Sequence, residues 1–571
     1  MSQIMERLAL RAGPVALLSQ SGAMAISLSV RGQQHLGLDF GLVATFGNAA
    51  DVKPVEALEW LAGDAGTRVV GLYLEGLDDA AAFARAAGRC HAAGQRLAVL
   101  RSGLSHRGAA AVASHTASMS GEGEAFRALC RQLGVVLCDS AESLLWTLKA
   151  LAGGIPQGPP RVAFASISGG ACALWADRCQ QLGLALPAID AEQAAALVDR
   201  LPPFLSPSNP LDLGPAVFDD AAFEGALDAL ATAPAFNLLV VYLFTSSPTL
   251  MGGLRKVQLL ETLARRTQRL LWVVWEAATD EEWAALARSE AVTAFRDLGQ
   301  AAQALAALRD ASPGCGYRPI AGAAVGAPGA ALAEPAGGAP AAGATTPFET
   351  EPAVKAWLRE AGLTVPRAAL CDSATAARAF AATCPEGVVV KIVSPALPHK
   401  TDVGGVVLCE PGTAAAAAAH ARVLENVRAH RPGLQPLGVL VEERITAPGL
   451  ELVVTVRRSA AMGLVTVIGR GGEQVEVDPD VVVHVGQLVP ADLPALLAGL
   501  RCAPLLRGHR GRAPLALSAL ADAVVRLQQA LLGQSLAEVE LNPVRLTADK
   551  AWVLDALATA SVPVGLPAQG A

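Results

Sequence analysis

VALLSQSGAM, residues 15–24, carries the apolar run Val15–Leu18 into a serine and glycine turn and then into helix-forming residues. A run this short, bounded by a turn, reads as a buried strand. Ser19, Ser21 and Gly22 stand between that strand and a helix, where hydroxyls and free backbone N–H groups form a cradle for an anion. AFASISGGAC, residues 163–172, repeats the form with Ser166, Ser168, Gly169 and Gly170. One such turn can serve tight helix–sheet packing alone. Its recurrence in two successive segments points to a duplicated unit. Around these turns, RVVGLYLE (68–75), RLAVLRSG (96–103) and NLLVVYLF (237–244) alternate with Ala/Leu-rich helical stretches. Apolar strands separated by helical patterns predict parallel sheets covered on both faces, hence two doubly wound α/β domains.

The chain has 571 residues, room for roughly three or four domains at about 100–200 residues each. Apolar types make up 52% and aromatics only 4%, so the hydrophobicity lies in alanine and small aliphatics. No stretch approaches the roughly 18–20 apolar residues of a spanning helix, which predicts no membrane partner. The 45 Lys and Arg against 52 Asp and Glu give a net charge of -7, which argues against nucleic acid as a partner. The first residues, MSQIMERLALRAG, lack the apolar core of a signal peptide, so the expected compartment is the cytoplasm. Ten cysteines, the closest two being Cys172 and Cys179, contain no CxxC pair and read as small core residues.

An Ala/Gly/Pro-rich stretch over residues 310–346, 37 residues long, cannot bury a core and reads as a linker. The segment LAGGIPQGPP (151–160) interrupts both periodicities and divides the front part. The expected domains are 1–152, 158–309 and, after the linker, 347–571. The last begins with the helix ETEPAVKAWLREAGL, in which Val354, Trp357, Leu358 and Leu363 recur at helical spacing. The runs GVVVKIV, LGVLVEERI, LELVVTVRR and LVTVIG, with an alanine-rich helix near 412–430, predict an α+β domain on a mostly antiparallel sheet.

Several loops carry groups suited to chemistry. RLAVLRSGLSHRGAAAVASHTASMSGEGEAF runs a strand into a Gly/Ser/Ala loop with His106 and His115, a poor place for a packed histidine. GLYLEGLDD ends a strand on Glu75, ordinarily a solvated carboxylate but one able to orient an imidazole. In VVVKIVSPALPHKTDVGGVV, Lys391 lies on a strand and His399, Lys400, Thr401, Gly404 and Gly405 follow it. Cations, a hydroxyl and glycine N–H groups together suit a nucleotide polyphosphate. Glu442 and Glu443 end one strand, Glu451 begins the next, and VIGRGGEQVEVD adds a glycine loop with Glu473, Glu476 and Asp478. VELNPVRLTADKAWVLDAL sets Glu540 and Asn542 on one face of a strand, with Asp555 on the neighbouring strand of a hairpin. Few, hard oxygen donors of this kind suit Mg²⁺ shared with phosphates.

In this order the motifs LLSQSGA, GNAADV, SHTASMSG, NPLDL (209–213), HKTDVGG, GRGG and ELNP resemble those of the NDP-forming acyl-CoA synthetases, the ADP-forming acetate–CoA ligase type related to succinyl-CoA synthetase. The resemblance runs over nearly the whole chain. It implies two flavodoxin-like ligase domains followed by an ATP-grasp domain. It implies an enzyme that interconverts acyl-CoA, ADP and phosphate with carboxylic acid, CoA and ATP through an acyl phosphate and a phosphohistidine. By resemblance His115 is the phosphohistidine, Glu75 its orienting carboxylate, and Ser19, Ser21 and Gly22 the phosphate cradle. Lys391, His399, Lys400, Gly404, Gly405, Glu442, Glu443 and Glu451 would line the nucleotide, with His399 a phosphate contact or a second relay. Glu540, Asn542 and Asp555 would hold Mg²⁺. Ala117 stands where the family has glycine.

Family members also begin with a CoA-binding Rossmann domain, which this sequence lacks before Val15. Three explanations stand: a separate CoA-binding subunit, loss in a degenerate copy, or an upstream start. The alternative function is a nucleotide-binding regulatory module without CoA turnover. Exposed faces of the parallel domains lead us to expect a homodimer. The acyl group, and ATP against GTP, are not legible.

Overall fold

The structure, a computed structural model, describes residues 12–104, 122–198, 206–244, 253–311, 348, 350–397, 400–472, 478 and 480–560. It divides into two units, Met1–Ala321 and Gly322–Ala571.

In the first unit, β1 (Val15–Ser19), β2 (Phe40–Thr45), β3 (Val69–Leu74), β4 (Arg96–Arg101) and β5 (Val136–Cys138) form a parallel sheet in the order β2-β1-β3-β4-β5. β6 (Val162–Ser166), β7 (Leu211–Asp212), β8 (Leu238–Leu243), β9 (Leu270–Trp275) and β10 (Val292–Phe295) form a second, in the order β10-β9-β8-β6-β7. Counted from the first strand of each, the two orders are the same doubly wound order. The correspondence extends to register: Ser19 pairs with Tyr73 as Ser166 pairs with Tyr242. β1, β6 and β8 are buried at every position, which is why they read as unbroken apolar runs.

The two sheets share one hydrophobic core. Helix α1 (Gly22–Leu36) follows β1, and α2 (Ala141–Gly153) packs against α5 (Leu298–Ala311), the helix after β10. From α4 (Asp280–Arg288), which follows β9, Trp283 Nε1 donates to the His35 carbonyl at 3.0 Å. Lys149 Nζ, buried in α2, donates to the Ala287 carbonyl at 2.9 Å. Burial lowers the Lys149 ammonium to about 8, against a smaller upward pull from Asp39. α3 (Gly169–Gln181) follows β6 as α1 follows β1.

The second unit holds two antiparallel sheets. β11 (Ala368–Cys371), β12 (Val388–Val393), β13 (Val406–Cys409) and β14 (Gly438–Glu443) lie in the order β11-β14-β12-β13. β15 (Gly449–Ser459), β16 (Gly463–Arg470), β17 (Val481–Val485), β18 (Leu536–Thr547) and β19 (Ala551–Val553) lie in the order β17-β16-β15-β18-β19, and β20 (Ala556–Ala560) pairs with β18. Helix α6 (Glu351–Glu360) covers β20, and α7 (Thr413–His430) packs on β12 and β13. Each sheet has its own core. Of the predicted linker, Asp310 and Ala311 end α5, and residues 312–346 lie outside the described residues.

The nine described cysteines are free, and all but Cys172 are buried. Among the described residues no helix is long and apolar enough to cross a membrane.

Candidate functional site

The first sheet gathers its polar groups at the carboxyl ends of β1 and β3, the switch point of a doubly wound fold where ligands bind. Ser19 Oγ accepts from the Ser21 amide at 3.1 Å and donates to the Ser21 carbonyl at 2.7 Å, so this hydroxyl shapes the turn. Ser21 is the N-cap of α1, its Oγ accepting from the Met24 amide at 3.4 Å. The first helical bond runs from Ala25 to Ser21, which leaves the Gly22 and Ala23 amides ahead of the ladder at the positive end of the helix. Gln20 Oε1 accepts from the Glu75 amide at 2.6 Å and the Gly76 amide at 3.2 Å, tying half-buried Glu75 to the cradle. The Ser102 amide donates to the Leu74 carbonyl, so the loop after β4 starts beside Glu75. His106 and His115 lie outside the described residues.

The second sheet repeats the cradle at matching distances, Ser168 N to Ser166 Oγ 3.1 Å and Ala171 N to Ser168 Oγ 3.4 Å. Its surroundings differ. By the strand register Asp212 stands where the first copy has Thr45, and Phe244 where it has Glu75. Of the two copies, the first alone has a carboxylate at the end of its third strand.

In the second unit the site grows from strand alternation. Val388, Val390 and Ile392 of β12 enter a core with Val439 and Val441 of β14, which sends Lys391 and Glu442 to the opposite face. There they meet two residues that the sequence reading passed over, Glu351 and Lys355 on α6. Lys355 Nζ lies 2.8 Å from Glu351 Oε1 and 2.6 Å from Glu442 Oε2. Lys391 Nζ lies 2.7 Å from Glu351 Oε1 and 3.3 Å from Glu442 Oε2. Both ammonium groups also donate to the Leu554 carbonyl, at 2.5 and 2.6 Å. Lys400 Nζ bonds Glu351 Oε2 and lies 3.2 and 3.0 Å from the two oxygens of Asp555. Burial would raise the Glu351 carboxyl, but Lys391, Lys355 and Lys400 outweigh it and hold the group well below the carboxylate range. Burial would lower Lys391 and Lys400; Glu351 chief among the carboxylates reverses this, and both stay charged well above neutral pH.

Asp555 sits in the break between β19 and β20 rather than on a strand, a correction to the expected placement. The local reason is that the Asn542 amide bonds the Asp555 carbonyl at 3.2 Å, and the strand partner of β18 changes there from β19 to β20. Asn542 Nδ2 donates to Glu540 Oε1 at 3.3 Å, and with the Asn542 amide on the Asp555 carbonyl the three residues are neighbours along the backbone. Among the described residues no three His, Cys, Asp or Glu side chains gather as a metal group. Two carboxylates and an amide oxygen nevertheless match Mg²⁺, which keeps its other positions for water and phosphate.

The remaining predicted residues are placed as follows. Gly404 and Gly405 close a turn in which their amides donate to the Thr401 and Lys400 carbonyls at 3.0 and 2.8 Å, so these N–H groups are spent within the chain rather than offered to phosphate. Glu443 faces away from Glu442 and makes a two-point pair with Arg367 at 2.9 and 3.3 Å, which holds its carboxyl low. Glu451 pairs with Arg545 at 3.0 Å, and its carbonyl accepts from Gly471. Asp478 pairs with Arg501 at 2.7 Å. His399, Glu473 and Glu476 lie outside the described residues.

Comparisons with known proteins bear on both units. Residues 12–151 match the model of a succinyl-CoA ligase like flavodoxin domain, and residues 341–559 that of an ATP-grasp domain. The chain is 29% identical over 553 residues to the ADP-forming acetate–CoA ligase I of Archaeoglobus fulgidus, covering 96% of this chain and 78% of that one. It is 29% identical over 541 residues to trans-feruloyl-CoA synthase FCS1 of an unknown prokaryotic organism, covering 93% and 74%. Over 207 residues it is 31% identical to the beta subunit of the ADP-forming acetate–CoA ligase I of Pyrococcus furiosus, covering 36% of this chain and 89% of that subunit. With its flavodoxin-like sheets, its ATP-grasp unit and these relatives, the chain belongs to the family of ADP-forming acyl-CoA ligases.

Proposed function

We propose that this chain is an acid–CoA ligase that interconverts acyl-CoA, ADP and phosphate with a carboxylic acid, CoA and ATP. The observation that carries this reading is the second unit's cluster of Lys355, Lys391 and Lys400 on Glu351, Glu442 and Asp555, with the Asn542 amide bonded to the Asp555 carbonyl and Asn542 bonded in turn to Glu540, which sets cations beside hard oxygen donors of the kind a nucleotide polyphosphate with Mg²⁺ requires. The relatives are ligases by their own names, and nothing favours a regulatory module over an enzyme.

In the ATP-forming direction, a phosphate oxygen attacks the acyl-CoA carbonyl and the CoA thiolate leaves, giving an acyl phosphate. A nitrogen of His115 attacks phosphorus and the carboxylate leaves. A terminal oxygen of ADP then attacks the phosphohistidine, and the imidazole departs with ATP formed. Imidazole suits the carrier role because it is nucleophilic near neutral pH. Glu75 orients it, and the α1 N-terminus after Ser19, Ser21 and Gly22 neutralises the anion in flight. Lys391, Lys400 and His399 are assigned to the nucleotide phosphates, and Glu443 and Glu451 to the rest of the nucleotide. Glu540, Asn542 and Asp555 would hold Mg²⁺, which supplies charge neutralisation on the phosphates.

The domain limits 1–152, 158–309 and 347–571, the linker 310–346, a cytoplasmic location, a homodimer and a separate CoA-binding subunit belong to the same reading. The names of the relatives range from an acetate–CoA ligase to a feruloyl-CoA synthase.

Incubation of the full chain with [γ-³²P]ATP and Mg²⁺ tests it. The expected product is acid-labile, base-stable label on protein that His115→Ala abolishes. Unlabelled wild-type protein, or label that survives the substitution, refutes the carrier role.

A further inference from the structure

The cluster at Leu554–Asp555 is electrically closed: Lys355, Lys391 and Lys400 face Glu351, Glu442 and Asp555, three charges of each sign. Its members differ in access to solvent. The side chains of Glu351, Lys355 and Glu442 are 2–3% exposed and that of Lys391 is 8% exposed, while Lys400 and Asp555 reach 11% and 33%. An incoming ligand therefore meets the Lys400–Asp555 end first. There both Asp555 oxygens lie on the Lys400 ammonium, and Asp555 Oδ1 also accepts from the Ala556 amide at 2.8 Å. A carboxylate held this way is not offered to a divalent cation, and an ammonium held by two carboxylates is not offered to a phosphate.

Resting on the reading of this unit as a Mg²⁺–nucleotide site, we propose that Lys400 and Asp555 are an exchange pair. Asp555 turns to the cation only as Lys400 leaves it, and Lys400 reaches phosphate only as Asp555 is taken up. Glu351, on the inner side, keeps hold of the ammonium through the exchange, so that Lys400 swings locally instead of being released to water. The two binding events are thus linked through one ion pair, and linkage requires each to strengthen the other. The buried members cannot substitute for this pair: Lys355 and Lys391 are fixed by the Leu554 carbonyl and by carboxylates of their own.

The test is ADP binding to the full chain by isothermal titration calorimetry, in EDTA and in saturating Mg²⁺. Wild-type protein should bind ADP much more tightly with Mg²⁺. Asp555→Asn removes the charge that holds Lys400, and should bind metal-free ADP about tenfold more tightly than wild type while losing most of the Mg²⁺ enhancement, a coupling of ordinary size. Lys400→Gln should lose far less affinity in EDTA, where Lys400 is occupied anyway, than in Mg²⁺. The exchange is overturned if Asp555→Asn binds metal-free ADP no more tightly than wild type, or if Lys400→Gln weakens metal-free binding as much as metal-bound binding. Wild-type protein that binds no ADP even with Mg²⁺ would instead overturn the nucleotide reading, and the exchange with it.

Discussion

Glu351→Gln keeps the shape of the side chain and removes the charge on which two buried lysines and the partly exposed Lys400 converge. Its cost follows from what those lysines retain. Lys355 and Lys391 still lie 2.6 and 3.3 Å from Glu442 and still donate to the Leu554 carbonyl, and Lys400 still has Asp555 at 3.0 Å. Removing one partner of a buried pair costs about 3–5 kcal/mol, and the surviving partners place this case near the lower limit, about 3 kcal/mol. The unit concerned, Gly322–Ala571, is of a size for which each kcal/mol moves the melting temperature by about 2–4 °C, so the expected fall is about 6–12 °C. The pH dependence carries a sign. Glu351 is depressed in the folded chain, so its stabilisation is complete above the unfolded value of about 4.3 and is lost as pH falls through the lower folded value. Lys391 is raised, so its contribution is complete below the unfolded value of about 10.4 and is lost only at more alkaline pH. The deficit of the variant should therefore be flat between about pH 6 and pH 9 and shrink below about pH 4. Calorimetric melting of the full chain, with hydrogen exchange on peptides covering β12 and β14 to assign the transition, measures both. A fall under about 2 °C at pH 7, or a deficit that grows toward pH 4, refutes the account of this cluster as a mutually stabilising set.

Two further changes probe the packing that supports the sites. Lys149, lowered to about 8 when folded, binds its proton more weakly than in the unfolded chain, so stability should rise between about pH 8 and pH 10.4 by at most about 3 kcal/mol; Lys149→Met should abolish that rise in pH-dependent melting and be no less stable than wild type at pH 7. At Gly405 a Cβ would stand 2.8 Å from the Lys400 carbonyl oxygen and 2.7 Å from Ile392 Cγ2, so Gly405→Ala should cost about 1–3 kcal/mol in melting experiments and weaken Mg²⁺–ADP binding by displacing Lys400.

Strand reading succeeded where burial is two-sided. β1, β6 and β8 carry no inward/outward alternation to confuse them. β5, β7 and β10, with three, two and four residues, are too short for a periodic signal. The run LLWVVW of β9 was legible and was passed over. The largest omission in the site was Glu351 and Lys355. Glu351, Val354, Lys355 and Leu358 are all buried on α6, at spacings of three and four. Two opposite charges on the apolar stripe of an otherwise amphipathic helix were the available signal, since charge on that stripe must find partners in the interior.

Sequence alone established the duplicated α/β halves, the antiparallel domain after an Ala/Gly/Pro segment, and the residue types that could handle phosphate and a hard cation. These follow from local rules: periodicity, turn chemistry and the spacing of a few polar groups along the chain. Which charges face each other was decided only by the tertiary structure. Lys391 and Lys400, Glu442, and Asp555 come from three separate segments, and α6 brings Glu351 and Lys355 into their midst. Side-chain direction across a sheet and the descent of a helix onto it are three-dimensional facts, as is the exhaustion of the Gly404 and Gly405 amides within their own turn. The same amino acids that read as a row of phosphate contacts are therefore, in the fold, a neutral cluster with a single solvent-facing pair.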